Sequence, residues 1–438
     1  MTAFVVAGAG LGGSLMAALL GRAGHSVDVI ERRPDPRTGS VEGGRSINLA
    51  ISERGLHALS RLGLTESILR IATPLQGRMI HPVEGPLAFQ PYGRKGQAIN
   101  SVARSALNEI LLDAAEGAGN VRLRFGRRAI DLDLDAGALL SVESQSGQSP
   151  ERHRGVVIGA DGAYSAVRGH LQCRERYDFS QEFLEHGYKE LSIPPGPAGS
   201  PRLEPNALHI WPRGGFMMMA MANVDGSFTV TLYLGYEGPD SFAELATPEA
   251  VERFFQREFP DAVPLLPGLA RAFLSNPVGS LVTIRSRPWH VGGAVVLLGD
   301  ACHAIVPFFG QGANAAFEDC LALEAALARL PSDVSRAFHE YEAERRPNAD
   351  AIADLALTNF HEMRDRVASP LFRLEKRAGV VLNRLFPRWF LPLYTMISFT
   401  RIPYAEARVR ARLQARVVRG ILALLTIAAG VVLWLLLQ

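Results

Sequence analysis

Gly8-Ala9-Gly10-Leu11-Gly12-Gly13, together with Glu31, are the residues whose types and spacing first point to chemistry. The glycines follow a buried-strand pattern, Ala3–Ala7, and open a helix that keeps Leu11, Leu15, Ala18 and Leu19 at helical spacing. Gly8 permits a tight turn, Gly10 lets the backbone approach a pyrophosphate, and Gly13 lets helix and strand pack closely, with the helix N-terminus facing the phosphates. Glu31 ends a second buried strand (Val27, Val29, Ile30) about 20 residues further on, where a carboxylate accepts from ribose hydroxyls. Such a unit implies a bound dinucleotide without deciding which one.

Two later loops narrow the choice. Residues 159–168 read GADGAYSAVR, a strand end followed by Asp161-Gly162 and Arg168. Residues 299–312 read GDACHAIVPFFGQG, a strand end, Asp300, and a loop opening a helix near Gly312. Asp300 can accept from a ribityl hydroxyl. The helix start can aim its amides at a flavin's pyrimidine edge, where reduction places negative charge. A nicotinamide dehydrogenase needs neither loop. With the glycine turn they resemble the three-part pattern of single-component FAD-dependent aromatic hydroxylases, the group similar to para-hydroxybenzoate hydroxylase. Asp300 and His303 have no third ligand nearby, so no metal is expected. No Ser-His-Asp or Cys-His arrangement is evident, and no catalytic nucleophile or acid/base is expected.

The elements that must position these residues read as α/β. The expected fold is a discontinuous Rossmann-type FAD-binding domain with an inserted β-sheet substrate domain. A C-terminal helical region and a single C-terminal transmembrane helix complete it. At 438 residues the chain has room for two or three cores. The expected divisions are 1–182 and 284–369 for the two parts of the FAD domain and 183–283 for the β-rich insert. The helical region spans 370–416 and the membrane helix 417–437. The insert is read from LHIW (208–211), FMMMAMA (216–222) and SFTVTLYLG (227–235), which have strand length and lie between turn residues. A formal charge of +2 argues against a dedicated nucleic-acid binder. Cys173, Cys302 and Cys320 lie too far apart in sequence to suggest a disulfide framework.

The N-terminus lacks a basic region and a cleavage site, so no signal peptide is expected. At the other end Arg401, Arg408, Arg410, Arg412, Arg416 and Arg419 precede GILALLTIAAGVVLWLLL, an uncharged run. Its length is close to the ~20 residues that cross a bilayer. The expectation is a membrane-anchored protein with lipid as a partner and its catalytic body in the cytosol. The membrane would be the inner one in a bacterium or the mitochondrial outer one in a eukaryote.

A narrower resemblance rests on GRSINLA (44–50) with Ser52 and Arg54-Gly55, then GRMIHP (77–82), FQPYG (89–93), HGYKEL (186–191), LHIWPR (208–213), VPFFGQG (306–312), NFHEMR (359–364) and PLYTM (392–396). From residue 4 to about 410 the chain resembles the kynurenine 3-monooxygenase family. The resemblance implies tightly bound FAD, reduction by transient NADPH, reaction with O₂, and hydroxylation of L-kynurenine to 3-hydroxykynurenine through a C4a-hydroperoxide. It implies that Arg78 forks onto the substrate carboxylate with Tyr92 as hydroxyl partner. Asn359 and Glu362 would lie near the substrate, and Tyr394 would close the site. A ring pocket would be built from Leu208, Met217, Met219, Met221 and Tyr233, with Pro307 and Phe308 on the flavin side. Beyond Gly8, Gly10, Gly13, Glu31, Asp161, Asp300 and Gly312, it implies cofactor contacts from Arg32, Arg45, Ala50, Arg104, Ala313 and Asn314. A guanidinium suits bidentate carboxylate recognition. The chain departs from the family pattern at Tyr233 (phenylalanine expected), Met219 and Met221 (branched aliphatics), Phe360 (tyrosine) and Ala313 (methionine).

Two rival readings remain from the residues. One is a related membrane-associated hydroxylase or epoxidase acting on a quinone or lipid, for which a carboxylate clamp at Arg78 would be useless. The other is a flavin-binding membrane sensor without turnover.

Overall fold

The structure, a computed structural model, describes residues 2–39, 48–93, 96–134, 136–144, 149–361, 382–383, 385–387 and 389–436. Four sheets organise the described residues. The first has six strands in the order His290–Val291, Val295–Leu297, Val156–Gly159, Ala3–Ala7, Ser26–Ile30, Val121–Arg124. All are parallel except the His290–Val291 edge. These strands are near-continuous apolar runs because the parallel sheet is covered by helices and by the three-stranded sheet Arg127–Asp133, Ala138–Glu143, Glu151–Arg154. The helices Leu11–Arg22 and Gly312–Arg329 pack there, with Phe4, Val6, Leu15, Val29, Ile158, Val296 and Phe317 in one core. The neighbour of Ala3–Ala7 on one side arrives from residue 156 and the strand beyond it from 295, so this domain is discontinuous in sequence.

The largest sheet has seven strands, in the order Gly279–Arg287, Asp178–Ile193, Phe228–Gly235, Met217–Ala222, Ala207–Pro212, Gly77–Ile80, Ala88–Pro91. Its outer two strands come from the first part of the chain, and Gly77–Ile80 runs parallel to Ala207–Pro212 with Arg78 opposite Leu208. Asp178–Ile193 crosses residue 183 and Gly279–Arg287 crosses residue 283, and the two strands pair with each other across those points, Glu182 opposite Thr283 and Phe183 opposite Val282.

Side-chain alternation divides this sheet cleanly. Met218, Ala220, Ala222, Phe228, Val230, Leu232 and Leu234 bury one face against the helices Pro248–Glu258 and Leu269–Ser275. The intervening residues turn to the opposite face. Each large apolar side chain fully buried contributes about 1.5–3 kcal/mol, and a one-residue slip would expose the whole set. The register is therefore strongly specified.

A third core joins the sheet's other face to the long helix Val334–His361, the short helix Leu393–Ser398 and the start of the tail helix Tyr404–Leu436. The expected transmembrane helix is corrected here. Among the described residues no helix is long and apolar enough to cross a membrane. The apolar stretch does not form a helix of its own. It is the end of one continuous helix whose first turns carry the arginines and dock on the body. Tyr404 and Ala407 are fully buried there, and Arg408 pairs with Asp354. The lipid contact expected of a membrane-spanning segment is therefore not supported.

Candidate active site

The glycine turn is built as a close approach. Gly8 has φ +100°, and a Cβ there would lie 2.5 Å from the Ala160 carbonyl oxygen. A Cβ on Gly13 would fall 1.9 Å from the Gly8 oxygen. Gly10 differs, since a Cβ there meets nothing within 4 Å. Gly8 and Gly13 are thus required by packing, while Gly10 borders open space. Glu31 closes the turn by accepting from Ala9 N (2.8 Å) and from Arg33 N (3.0 Å) and Nε (2.8 Å). Burial pushes its carboxyl up, but the Arg33 guanidinium and these amides outweigh that and hold it below the usual range.

This turn opens into a cavity of about 920 Å³ running from Gly8 to Arg78. That is near the upper end of the ~300–1,000 Å³ typical of small-molecule sites. Gly8, Gly10, Glu31, Arg32, Ala50, Arg104, Asp161, Asp300, Gly312 and Ala313 border one portion. Arg78, Tyr92, Leu208, Met219, Met221, Tyr233, Pro307, Phe308 and Tyr394 border the other.

Four expected residues are not on the wall. Gly13 lies behind the turn, packed on Gly8. Met217 packs inside the third core and is 3% exposed. Asn314 spends its amide on the protein. Its Nδ2 donates to Ala50 O (2.8 Å) and Gly310 O (2.9 Å), and its Oδ1 accepts from Ser52 N (2.9 Å). It clamps the loop after Phe309 to the strand Asn48–Ile51 and does not itself face the cavity. Asn359 donates to Phe308 O at 2.8 Å and holds that ring's backbone from the long helix. Arg45 and Glu362 lie outside the described residues.

Asp161 faces two ways. One carboxylate oxygen accepts from Ala166 N (2.7 Å) and Val167 N (3.2 Å) at the start of the helix Ala166–Gln172. The other, Oδ1, is buried with no partner among the described residues. Burial raises its carboxyl above the ordinary value, against those hydrogen bonds.

At the opposite end Arg78 stands over two stacked phenols. The Tyr92 and Tyr394 rings lie 4.8 Å apart and 18° from parallel, with the guanidinium carbon 5.6 Å and 5.2 Å from their centroids. Arg78 Nε is buried without a hydrogen-bond partner among the described residues. Burial pulls this guanidinium down, but the oxygens of Tyr92 and Tyr394 outweigh it and hold it above its ordinary value. Burial raises both phenols, so their hydroxyls keep their protons. A fixed cation with spare donors, walled by aromatic rings, can bind a carboxylate.

The FAD binding domain family matches residues 1–356. A kynurenine 3-monooxygenase of Myxococcus xanthus is 50% identical over 403 residues, covering 92% of this chain and 87% of that protein. Its counterpart in Salinispora arenicola is 45% identical over 429 residues, covering 97% and 94%. That of Stenotrophomonas maltophilia is 47% identical over 410 residues, covering 93% and 90%. The chain belongs to the kynurenine 3-monooxygenase family.

Solved structures agree on the fold. 2-Methyl-3-hydroxypyridine-5-carboxylic acid oxygenase superposes with a TM-score of 0.69 at 21% identity, covering 84% of this chain and 94% of that one. Pseudomonas aeruginosa PqsL, in complex with 2-aminobenzoylacetate, gives 0.65 at 23%, covering 83% and 97%.

FAD, the cofactor of a family with this binding domain, fits the residues present. Gly10 with its open side, Asp161 with its orphaned Oδ1, and Gly312 and Ala313 at the start of the helix Gly312–Arg329 border one continuous space. Sequence reasoning missed Arg33, Thr229 and Thr231. The two threonines carried a readable signal, since they share strand parity with Tyr233. Arg33 carried none, because its pairing depends on how the chain turns after Glu31.

Proposed function

We infer that the protein is an FAD-dependent monooxygenase that converts L-kynurenine, NADPH, O₂ and a proton to 3-hydroxykynurenine, NADP⁺ and water. The observation that carries the substrate reading is Arg78. An enclosed guanidinium with an unpartnered Nε borders the same cavity as the glycine turn, and a quinone or lipid has no use for it. FAD, when bound and reduced by NADPH, supplies the activated oxygen.

The chain's own residues do the rest. Arg78 takes the amino acid's carboxylate, with Tyr92 and Tyr394 stacked beside it. Leu208, Met219, Met221 and Phe308 give the ring an apolar bed and exclude water, which protects a reactive oxygen donor from wasteful breakdown. The Asn359 bond to Phe308 and the Asn314 clamp fix the loop on the flavin side. Orientation is the protein's principal contribution, because the ring amine of kynurenine already directs oxygen to the adjacent carbon.

The test is to purify the protein, record its flavin spectrum, and measure NADPH oxidation with and without L-kynurenine while assaying the hydroxylated product. Oxidation that kynurenine does not stimulate, or that yields only hydrogen peroxide, overturns this reading. A flavin-binding sensor would bind ligand and consume no NADPH.

A further inference from the structure

The cavity side of the strand Phe228–Gly235 carries hydroxyls where the neighbouring strands present Leu208, Met219 and Met221. Thr229, Thr231 and Tyr233 share that face by the two-residue period of a strand, and all three border the cavity. Thr229 is engaged, donating to Asn48 Oδ1 and accepting from Asn223 Nδ2, each at 3.3 Å. Tyr233 is different. It is 5% exposed, and among the described residues nothing hydrogen-bonds its hydroxyl. A hydroxyl that has no protein partner and borders a cavity finds its partner in what fills the cavity.

The position of Tyr233 says which part of the ligand that is. Its ring lies 5.1 Å from Phe308, at the flavin-side loop. Arg78 lies three strands away across the sheet in register with Thr229, four residues short of Tyr233, so the two backbones are roughly 20 Å apart at ~4.8 Å per strand and ~3.4 Å per residue, a span that the two long side chains and a ligand between them fill. A kynurenine whose carboxylate sits on Arg78 extends its aromatic end towards Tyr233.

We propose that the Tyr233 hydroxyl is a specificity-determining group, accepting a hydrogen bond from the ring amine of the substrate so that the site favours an aromatic amine over the same ring without one. This rests on the kynurenine reading above. The ring nitrogen lends electron density to the ring as oxygen arrives at the adjacent carbon, so its N–H becomes more acidic. An acceptor placed there binds more tightly in the transition state than in the ground state and raises kcat as well as affinity. Burial keeps the phenol protonated, which makes its oxygen a neutral acceptor.

The experiment uses FAD-loaded protein and reads equilibrium Kd from the change in flavin absorbance. The ligands are L-kynurenine and its analogue with hydrogen in place of the ring amine. Wild type should favour kynurenine roughly five- to tenfold, the value of one neutral hydrogen bond. Tyr233→Phe should erase that preference by weakening kynurenine alone, lower kcat by a similar factor, and leave the analogue's Kd within twofold. Equal weakening of both ligands makes Tyr233 a packing residue and overturns the proposal. If Tyr233→Phe does not retain flavin, the wild-type comparison still decides, since a site that does not discriminate between the ligands has no such contact. A wild-type spectrum that does not respond to L-kynurenine overturns the substrate reading itself, and this proposal with it.

Discussion

Under the proposed function, Arg78 concentrates the binding chemistry at the scale of single residues. A bidentate charge-assisted contact to a carboxylate contributes about 3 kcal/mol, so Arg78→Ala should raise the Kd for L-kynurenine roughly 100-fold. The flavin content should stay unchanged, because the glycine turn and Asp161 are untouched. Arg78→Lys should recover only part of the loss, since an ammonium keeps the charge and forfeits the fork. Titration of flavin absorbance on both variants checks this, and unchanged affinity in Arg78→Ala would remove the carboxylate from that end. His209 gives a second prediction on the sheet's other side. It is 1% exposed, its Nδ1 lies 2.9 Å from His81 Nε2, and its Nε2 is 2.9 Å from Glu204 O. His81 in turn meets Asp261, with Arg213 nearby. Burial pushes His209 down from 6.5 to about 4. The unfolded chain takes up this proton before the folded one does. Stability from this group is therefore complete above about pH 6.5 and lost as pH falls towards 4, by up to about 3 kcal/mol. Thermal unfolding from pH 7 to 4 should show that loss, and His209→Gln should flatten it. The close packing at Gly8 and Gly13 was legible in the sequence because it depends on the neighbouring turn. The duty of Asn314 was not, since its partners Ala50 and Ser52 lie some 260 residues away in the chain.

Arg54 shows how whole elements are held around the site. Its side chain is fully buried and its Nη1 lies 2.6 Å from Glu318 on the helix Gly312–Arg329. Its Nε donates to Ile397 O at 2.9 Å, its Nη2 donates to the carbonyls of Met396 and Ile402, and its guanidinium lies 4.0 Å from the centre of the Tyr404 ring. One guanidinium thus ties the short helix that carries Tyr394 to the helix that begins at the flavin loop. Arg345 extends the tie to Glu318 and Asp319. Breaking such a buried pair from one side costs about 3–5 kcal/mol. Arg54→Ala should lower the unfolding free energy by that amount and raise the KM for L-kynurenine as Tyr394 loosens. Flavin-fluorescence melts and steady-state kinetics would check both, and a variant with normal stability would show that Glu318 and the carbonyls find other partners. Strand existence was readable between 208 and 235, where apolar residues of one parity meet a packed face. The strand that carries Arg78 gave no such signal, because its pattern is set by Ala207–Pro212, a partner remote in the chain.

At the scale of the whole molecule, the tail shows where reading a segment in isolation fails. An uncharged run after arginines looks like an anchor when its length is counted alone. The structure instead continues it from a helix whose first turns belong to the body. Tyr404 donates through its hydroxyl to Gln311 Oε1 at 2.9 Å, one residue before Gly312, so the start of the tail helix helps set the loop that opens the helix Gly312–Arg329. Ala405 N donates to Asn348 Oδ1 at 3.1 Å and Arg408 pairs with Asp354, which fasten it to the long helix. Further along, Leu424, Ile427, Val431 and Trp434 are exposed and contribute little to the described body. Two truncations should therefore behave oppositely. Ending the chain after Arg419 should leave flavin content, melting temperature and kynurenine-stimulated NADPH oxidation close to those of the full chain. Ending it after Pro403 removes Tyr404, Ala405, Ala407 and Arg408 and leaves the buried Gln311 and Asn348 without those partners. The protein should then lose several kcal/mol of stability, consistent with opened core and unpaired buried groups, and retain less flavin. If the longer truncation kept its flavin and melted normally, the tail would have no part in holding the loop.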